Sequence, residues 1–230
     1  MRLGTARFIK LFLSNLLIQS SWSFYWMQGL GFLFNLLSGF DKERVKEILH
    51  NHKGYFNTHP YFSGYIIGAI IRAYELNESP EKIKKFITIS QTTLASIGDT
   101  LFWQTIRPAL LLVSVILGMK FGLVGPIVFL IVYNILHLYH RAGGFILGYK
   151  KGADIIYYLK QKEQKLFRTF YTIGAISTGL LSVILIKDIG SVILIPFTII
   201  FFILLSKGAP RIIILTIFIF LFIIIAIIPL

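Results

Sequence analysis

Three hydrogen-bonding side chains stand together where the chain turns apolar. Asn57, Thr58 and His59 precede Pro60 in the stretch KGYFNTHPYFSGYIIG, residues 53–68. Between them they offer amide, hydroxyl and imidazole groups, which both donate and accept hydrogen bonds. They could cap a helix that starts near Pro60, or they could face a ligand. Both uses fit one site, because a capped helix end beside a cavity also presents polar groups to that cavity.

A second polar set lies in the stretch SIGDTLFWQTIRP, residues 96–108, where Asp99 and Arg107 interrupt an apolar run that also holds Trp103. Charges at membrane depth are costly, so they tend to be paired or functional. In a continuous helix, residues eight apart lie on roughly the same face. The pattern therefore predicts either a structural ion pair or a functional site, and Pro108 predicts a kink directly after Arg107.

A third set, SWSFYWMQGLGF at residues 21–32, surrounds Gln28 with aromatic residues. It is typical of an interfacial aromatic belt with a tight glycine turn. It also fits an aromatic platform with an amide group, an arrangement that holds a sugar ring.

Catalytic and metal-binding motifs are missing from the sequence, which contains no P-loop, no G-x-S-x-G and no H-E-x-x-H. His137 and His140 lie three residues apart, without a neighbouring carboxylate or cysteine, and we interpret them as interfacial histidines. The absence of cysteine excludes disulfides and thiolate ligands. We therefore predict no catalytic residue, no metal and no cofactor.

The composition indicates the solvent in which these groups act. Of 230 residues, 56% are hydrophobic and only 14% are charged, and residues 212–230 contain no charge. A run of about 20 apolar residues is long enough to span a membrane. The net charge of +13 fits basic cytoplasmic loops and anionic lipid better than nucleic acid. The chain is predicted to be an all-α integral membrane protein.

The elements that position the polar sets fall into two halves. Residues 1–20 are predicted to form an amphipathic helix at the membrane surface, with Arg7, Lys10 and Ser14 on one face. Residues 21–160 form a region of short, broken apolar segments. Such segments exist at membrane depth only where protein or a water-filled cavity satisfies their backbone, as in transporters.

Within this first half we expect particular boundaries. The apolar segments 22–37 and 61–76 are short, and the second is predicted to be re-entrant or packed inside the protein. Asp41 is a plausible N-cap for a polar helix over 41–52, and Pro80 fits the first turn of another over 78–90. Two longer runs, 101–119 and 121–139, meet at a glycine-containing break near Lys120.

The second half, residues 170–230, is predicted to hold three simple spans. These are 170–186, 189–205 and 212–230, with turns at Lys187-Asp188 and at residues 207–211. The segment 140–168 carries an excess of basic residues and is predicted to be a cytoplasmic loop. Alternation of the spans then places the C-terminus outside the cell.

Taken in order, the motifs resemble one family. The chain is similar to the IID membrane subunit of the mannose/fructose/sorbose-type bacterial sugar phosphotransferase systems over residues 8–160. The resemblance rests on SWSFYWMQGLGF, FNTHPYFSGYIIG, ASIGDTLFWQTIRP, GPIVFLIVYN and LGYKKGADII. It implies one IID-type domain over 1–230, located in the bacterial plasma membrane.

The resemblance also implies the partners and the activity. IID subunits pair with a IIC membrane subunit, the pairs form larger oligomers in membrane lipid, and each pair carries a hexose. A cytoplasmic IIB protein, supplied by IIA and HPr, phosphorylates the sugar. The phosphorylated residues belong to IIA and IIB, so this chain is expected to be a transport subunit and not an enzyme. Its substrate-path candidates are Gln28, Asn57, Thr58, His59, Asp99, Trp103 and Arg107.

Two other functions remain open at this point. The chain could be a membrane-embedded enzyme on a lipid or lipid-linked sugar, with Asp99 and His59 as catalytic residues. It could also be a noncatalytic structural partner that has lost transport, because the region after Ile186 is shorter than in the family. The shortening puts a docking role for bacteriocins or phage in doubt.

Overall fold

The structure, a computed structural model, describes residues 4–189 and, beyond them, 199, 200, 203, 204 and 216. This part of the chain contains helices and no β-strand. The α-helices are α1 (Thr5–Leu16), α2 (Gly29–Leu37), α3 (Val45–His52), α4 (Ser63–Glu75), α5 (Pro80–Gly98), α6 (Arg107–Phe121), α7 (Val124–Lys151) and α8 (Ile155–Ile189). A π-helix, Asp99–Ile106, joins α5 to α6, and short 3-10 turns, Lys42–Arg44 and Gly152–Asp154, precede α3 and α8.

Helix α4 forms the centre of the fold. Every residue from 62 to 71 is buried, including the polar Ser63. Of the two arrangements predicted for the short segment 61–76, the structure therefore shows the one packed inside the protein. A helix that is apolar all round belongs in a core, and α4 has that composition except at its ends.

The α4–α7 pair is the most extensive helix contact. Both helices carry two small residues four apart: Gly64 and Gly68 in α4, and Gly144 and Gly148 in α7. A Cβ added at Gly68 would lie 2.3 Å from the Phe145 carbonyl oxygen, and one at Gly148 would lie 2.1 Å from that of Tyr65. The glycines thus let the two backbones touch, as small residues do in membrane helix pairs.

Among the residues that the structure describes, two helical stretches are long and apolar enough to cross a membrane. They are Pro80–Phe121, which includes the π-helix, and Val124–Leu185. They meet at Gly122, whose φ of 59° is one that glycine adopts without strain. The predicted break near Lys120 is confirmed, although α7 continues to Lys151 and not to residue 139.

The segment 140–168, predicted as a loop, is helical instead. Helix α7 continues to Lys151, a single 3-10 turn follows at Gly152–Asp154, and α8 begins at Ile155. The prediction was wrong because basic charge does not exclude a helix, and Lys, Gln and Leu are good helix formers. Gly152, at φ 58°, supplies the one reversal within the segment.

The C-terminal region begins within α8. The described chain divides into one compact unit to Ser177 and a second from Thr178 onward. Helix α8 remains helical to Ile189, so the turn predicted at Lys187-Asp188 is wrong. The predicted spans 189–205 and 212–230, and the turn between them, lie outside the described residues except for the isolated positions given above.

Two predicted helix starts have different outcomes. Pro80 begins α5, and the Ser79 side chain accepts a hydrogen bond from the Lys82 N–H, as an N-cap does. Asp41 precedes the 3-10 turn of α3 but makes no cap hydrogen bond. Its carboxylate instead accepts a bond of 2.8 Å from Arg7 of α1.

We expect the Arg7–Asp41 pair to contribute weakly. The Asp41 side chain is 58% exposed, and exposed ion pairs contribute about 0.2–1 kcal/mol. A double-mutant cycle with Arg7→Ala and Asp41→Ala, followed by unfolding in detergent, should give a coupling energy in that range that falls with added salt. A large Asp41→Ala effect that is independent of Arg7 would instead indicate a cap.

Candidate functional site

The NTH segment, Asn57 to His59, is held in place by Gln28. The Gln28 side chain donates from Nε2 to the Thr58 carbonyl at 2.8 Å and accepts from the Thr58 N–H at 3.2 Å. Its own N–H donates to the Phe56 carbonyl at 2.8 Å. Gln28 is buried and both ends of its amide group bond to the Thr58 backbone, so it acts as a clamp on the segment.

The capping alternative for this segment is wrong. Helix α4 begins at Ser63, its N-cap position is Phe62, and no side chain caps it. The Ser63 hydroxyl donates to the Pro60 carbonyl at 2.8 Å. The backbone N–H of Asn57 donates to the Gln91 side chain of α5 at 3.2 Å. The side chains of the NTH segment are therefore not used to satisfy a helix end.

His59 lies in an aromatic enclosure. Its ring stacks on Phe102 with 5.3 Å between ring centroids and lies 5.0 Å from Trp103 and 4.8 Å from Tyr61. The space is tight, since a Cβ added at Gly98 would come within 2.4 Å of the His59 side chain. This is the contact that joins the second motif to the NTH segment.

The two nitrogens of the His59 ring make no hydrogen bond within the described part of the chain. The ring is 1% exposed, and burial without a hydrogen-bond partner disfavours the charged form of an imidazole. The imidazole is therefore neutral near pH 7 and presents one donor and one acceptor.

Tyr61 connects His59 to two residues of α7. The sequence interpretation placed His137 at the membrane interface and missed Arg141. The Tyr61 ring stacks on His137 at 4.7 Å and lies under the Arg141 guanidinium at 5.1 Å. Arg141 is only 6% exposed and forms no salt bridge within the part of the chain that the structure describes. The signal for Arg141 in the sequence is a lone cation in a long apolar helix.

We call Thr58, His59, Tyr61, Trp103, His137 and Arg141 the aromatic–polar cluster. Buried polar atoms in proteins are normally hydrogen-bonded. Here five side-chain atoms are buried without a partner among the described residues, and all belong to the cluster: Thr58 Oγ1, His59 Nδ1, His59 Nε2, His137 Nδ1 and Arg141 Nε. Buried atoms of this kind take their hydrogen-bond partner from an ordered water or from a ligand.

A buried amide network anchors Arg141 from behind. Arg141 donates to the Asn15 carbonyl at 2.6 Å and to its side-chain oxygen at 3.0 Å. Asn15 donates to Asn35 at 3.2 Å and to Ser63 at 2.8 Å, and Asn35 donates to Ser14. Ser14 is buried and packs against the protein, although it lies on the helical face that also carries Arg7 and Lys10.

His140 is a core residue rather than an interfacial one. It is 2% exposed, its Nδ1 lies 3.0 Å from the Tyr65 hydroxyl, and its Nε2 lies 3.9 Å from the Glu163 carboxylate. The interfacial interpretation was wrong because no local pattern predicts that α8 brings Glu163 to this point. No group of three or more potential metal ligands occurs in the described residues.

Asp99 and Arg107 do not pair with each other. No salt bridge joins them in the described chain, where Asp99 is half-buried and Arg107 is exposed. The stretch from Asp99 to Ile106 forms the π-helix, and the Thr105 side-chain hydroxyl donates to the Thr100 carbonyl within it at 2.8 Å. π-Helices are rare overall and are frequent at functional sites. Trp103 is 45% exposed although it touches His59.

Comparison with protein families decides what kind of chain this is. The family model described as "PTS system mannose/fructose/sorbose family IID component" matches residues 2–193. The chain belongs to this family. The resemblance inferred from the motifs is thereby confirmed, and the matched region includes every residue of the aromatic–polar cluster.

Curated relatives of this IID chain carry several sugar names. The mannose-specific EIID component of Escherichia coli (strain K12) is 32% identical over 156 residues, which cover 63% of this chain and 55% of the relative. The fructose permease IID component of Bacillus subtilis (strain 168) is 27% identical over 165 residues, covering 67% and 60%. The IID chain thus spans little more than half the length of these relatives.

Two solved structures of membrane proteins also match the IID chain. The IID chain matches a chain of the cryo-EM structure of the mannose transporter ManYZ in complex with microcin E492. The match has a TM-score of 0.61 and 29% identity, and it covers 78% of this chain and 70% of that one. A structure described as a membrane protein matches with a TM-score of 0.68 and 30% identity, covering 79% and 71%. The all-α membrane fold is confirmed.

Proposed function

We propose that this IID chain is the membrane subunit that, together with a IIC partner, forms the translocation path for a hexose of the mannose type. The sugar is taken up and phosphorylated by a phosphotransferase system, and the phosphoryl-transfer residues lie on IIA and IIB. The observation that carries the proposal is the aromatic–polar cluster, whose buried unpartnered atoms lie beside aromatic rings in a membrane protein. Membership of the IID family supports a role in sugar transport.

The cluster has the chemistry that a hexose needs. Sugar hydroxyl groups both donate and accept, so they match the hydroxyl of Thr58, the two nitrogens of neutral His59 and the Nε–H of Arg141. The exposed ring of Trp103 suits the apolar face of a sugar ring. An unpaired buried polar group is costly, and a bound hydroxyl would remove that cost.

The remaining residues predicted to line the sugar path have different roles. Gln28 positions the Thr58 backbone and acts only through it. Asn57 adjoins the cluster in sequence, and Asp99 follows Gly98, the residue that contacts His59. Arg107 and Asp99 stay candidates for the path or for the IIC interface. Neither hydrogen-bonds to His59 within the described residues, so the geometry gives no support to an enzyme in which Asp99 and His59 form a catalytic pair.

The orientation and assembly belong to the same proposal. The basic helical segment 140–168 would face the cytoplasm, where the IIB protein delivers its phosphoryl group, and the C-terminus would lie outside. IIC–IID pairs would associate into a larger oligomer. The positive-inside pattern of basic residues supports this orientation.

Uptake in cells without other hexose systems tests the function. The chain, its IIC and the pair would each be expressed with IIA and IIB, and phosphoenolpyruvate-dependent uptake of labelled mannose, glucose, fructose, sorbose and amino sugars would be recorded. We expect uptake only from the pair. Uptake by the IIC alone would indicate a noncatalytic structural role for this chain, and turnover of a lipid-linked sugar by this chain alone would indicate the enzyme.

A further inference from the structure

A groove of about 440 Å³ opens between the α5–π segment and α8, away from the aromatic–polar cluster. One wall carries the hydroxyl groups of Ser96 and Thr100. The other carries Lys160, Gln164 and Arg168, which are four residues apart and so share one face of α8. Polar groups therefore line both walls of the groove, and the row on α8 has a cation at each end.

The two cations of the groove are free to bind. Lys160 and Arg168 are exposed, and neither forms a salt bridge to any residue that the structure describes. The one acidic residue of the groove is Glu163. Its side chain is only 7% exposed and its carboxylate lies 3.9 Å from His140 Nε2. The exposed charge of the groove is thus positive.

The rest of the lining is apolar. Ile97, Leu101 and Phe167 supply it, and each wall leads into an apolar run of the sequence, residues 101–119 and 170–186. A water-soluble anion would gain nothing from this lining. A lipid would gain binding energy from the lining, because its acyl chains can pack along the apolar part while its phosphate contacts the cations.

We propose that this groove binds an anionic phospholipid, with its headgroup phosphate between Lys160 and Arg168. Basic pockets between membrane helices are known to hold such headgroups. The hydroxyl groups of Ser96 and Thr100 and the amide of Gln164 would donate to the remaining headgroup oxygens. The site would tie α5 to α8 through lipid, at a place where protein contact leaves a gap.

Native mass spectrometry of the full-length chain in mild detergent tests the proposal. The chain is titrated with phosphatidylglycerol or with phosphatidylcholine of identical acyl chains, and the affinity for the first bound lipid is measured. Wild type should prefer phosphatidylglycerol. Because each basic residue near a lipid surface contributes about a factor of five, the double variant Lys160→Gln/Arg168→Gln should lose about tenfold or more of that affinity.

Matched variants separate the groove from general charge. Lys85→Gln/Lys165→Gln removes two exposed cations from the same two helices without touching the groove, and it should bind phosphatidylglycerol as wild type does. Lys160→Arg/Arg168→Lys keeps the charges and should retain the preference. An equal loss in the Lys85/Lys165 variant, or no loss in the Lys160/Arg168 variant, would overturn the proposal. Displacement of the lipid by sn-glycerol 3-phosphate would also overturn it, by indicating a site for soluble phosphates.

Discussion

Replacing Thr58 with Val should lower sugar uptake by about tenfold or more while leaving the fold as stable as wild type, or more stable. The Thr58 hydroxyl is buried and has no partner among the described residues. Valine has the same shape without the hydroxyl, so folding loses no hydrogen bond and is relieved of a desolvated group. Uptake should fall because a sugar hydroxyl would lose its partner. Uptake at matched membrane levels, together with unfolding in detergent, measures the two effects.

Thr105→Val is the matched control for Thr58→Val. Thr105 is also a buried threonine, but its hydroxyl donates to the Thr100 carbonyl at 2.8 Å. Losing this bond should cost about 1 kcal/mol of unfolding free energy. If Thr58→Val left uptake unchanged, the Thr58 hydroxyl would have no role in transport. If it destabilised the chain as Thr105→Val does, the hydroxyl would already have a partner within the protein.

Gly148→Ala should lower the unfolding free energy by about 3 kcal/mol, at the upper end of overpacking costs. The added methyl group would lie 2.1 Å from the Tyr65 carbonyl oxygen, a backbone atom of the central helix α4. Backbone cannot move aside as a flexible side chain does, so α4 and α7 would have to separate. The segment that carries His59 and Tyr61 leads directly into α4, so we expect uptake to fall as well.

The same helix offers a control for Gly148→Ala. Gly143 also lies in α7, but a Cβ there meets no atom within 4 Å. Gly143→Ala should therefore stabilise the helix by about 0.5–1 kcal/mol, the ordinary gain of alanine over glycine. SDS-induced unfolding of the purified variants measures both shifts. Shifts of the same sign and size would contradict the close α4–α7 packing.

Local sequence signals predicted what depends on near neighbours. The burial of the segment 61–76, the start of α5 at Pro80 and the break near Lys120 follow from composition, proline geometry and glycine, and the structure shows all three. The NTH segment was also recognised as unusual from its residue types alone. Each of these features depends on residues that lie within about one helix length of each other in the sequence.

Long-range packing decided the rest. Arg141 meets Asn15 across 126 residues of sequence, and the approach of Glu163 to His140 depends on the reversal at Gly152. No local pattern predicts either contact. The basic segment 140–168 was mistaken for a loop because charge indicates orientation across a membrane but does not exclude a helix.

Thiol accessibility at position 58 tests most directly whether the aromatic–polar cluster lies on the sugar path. The chain has no cysteine, so Thr58→Cys and Thr105→Cys each place a single thiol in it, and the co-expressed IIC would be made cysteine-free. The rate of modification by a small methanethiosulfonate reagent would be measured in membranes with and without the transported sugar. We expect the sugar to change the rate severalfold at position 58 and to leave position 105 unaffected. Equal rates with and without sugar at position 58, in a complex that transports, would contradict the account.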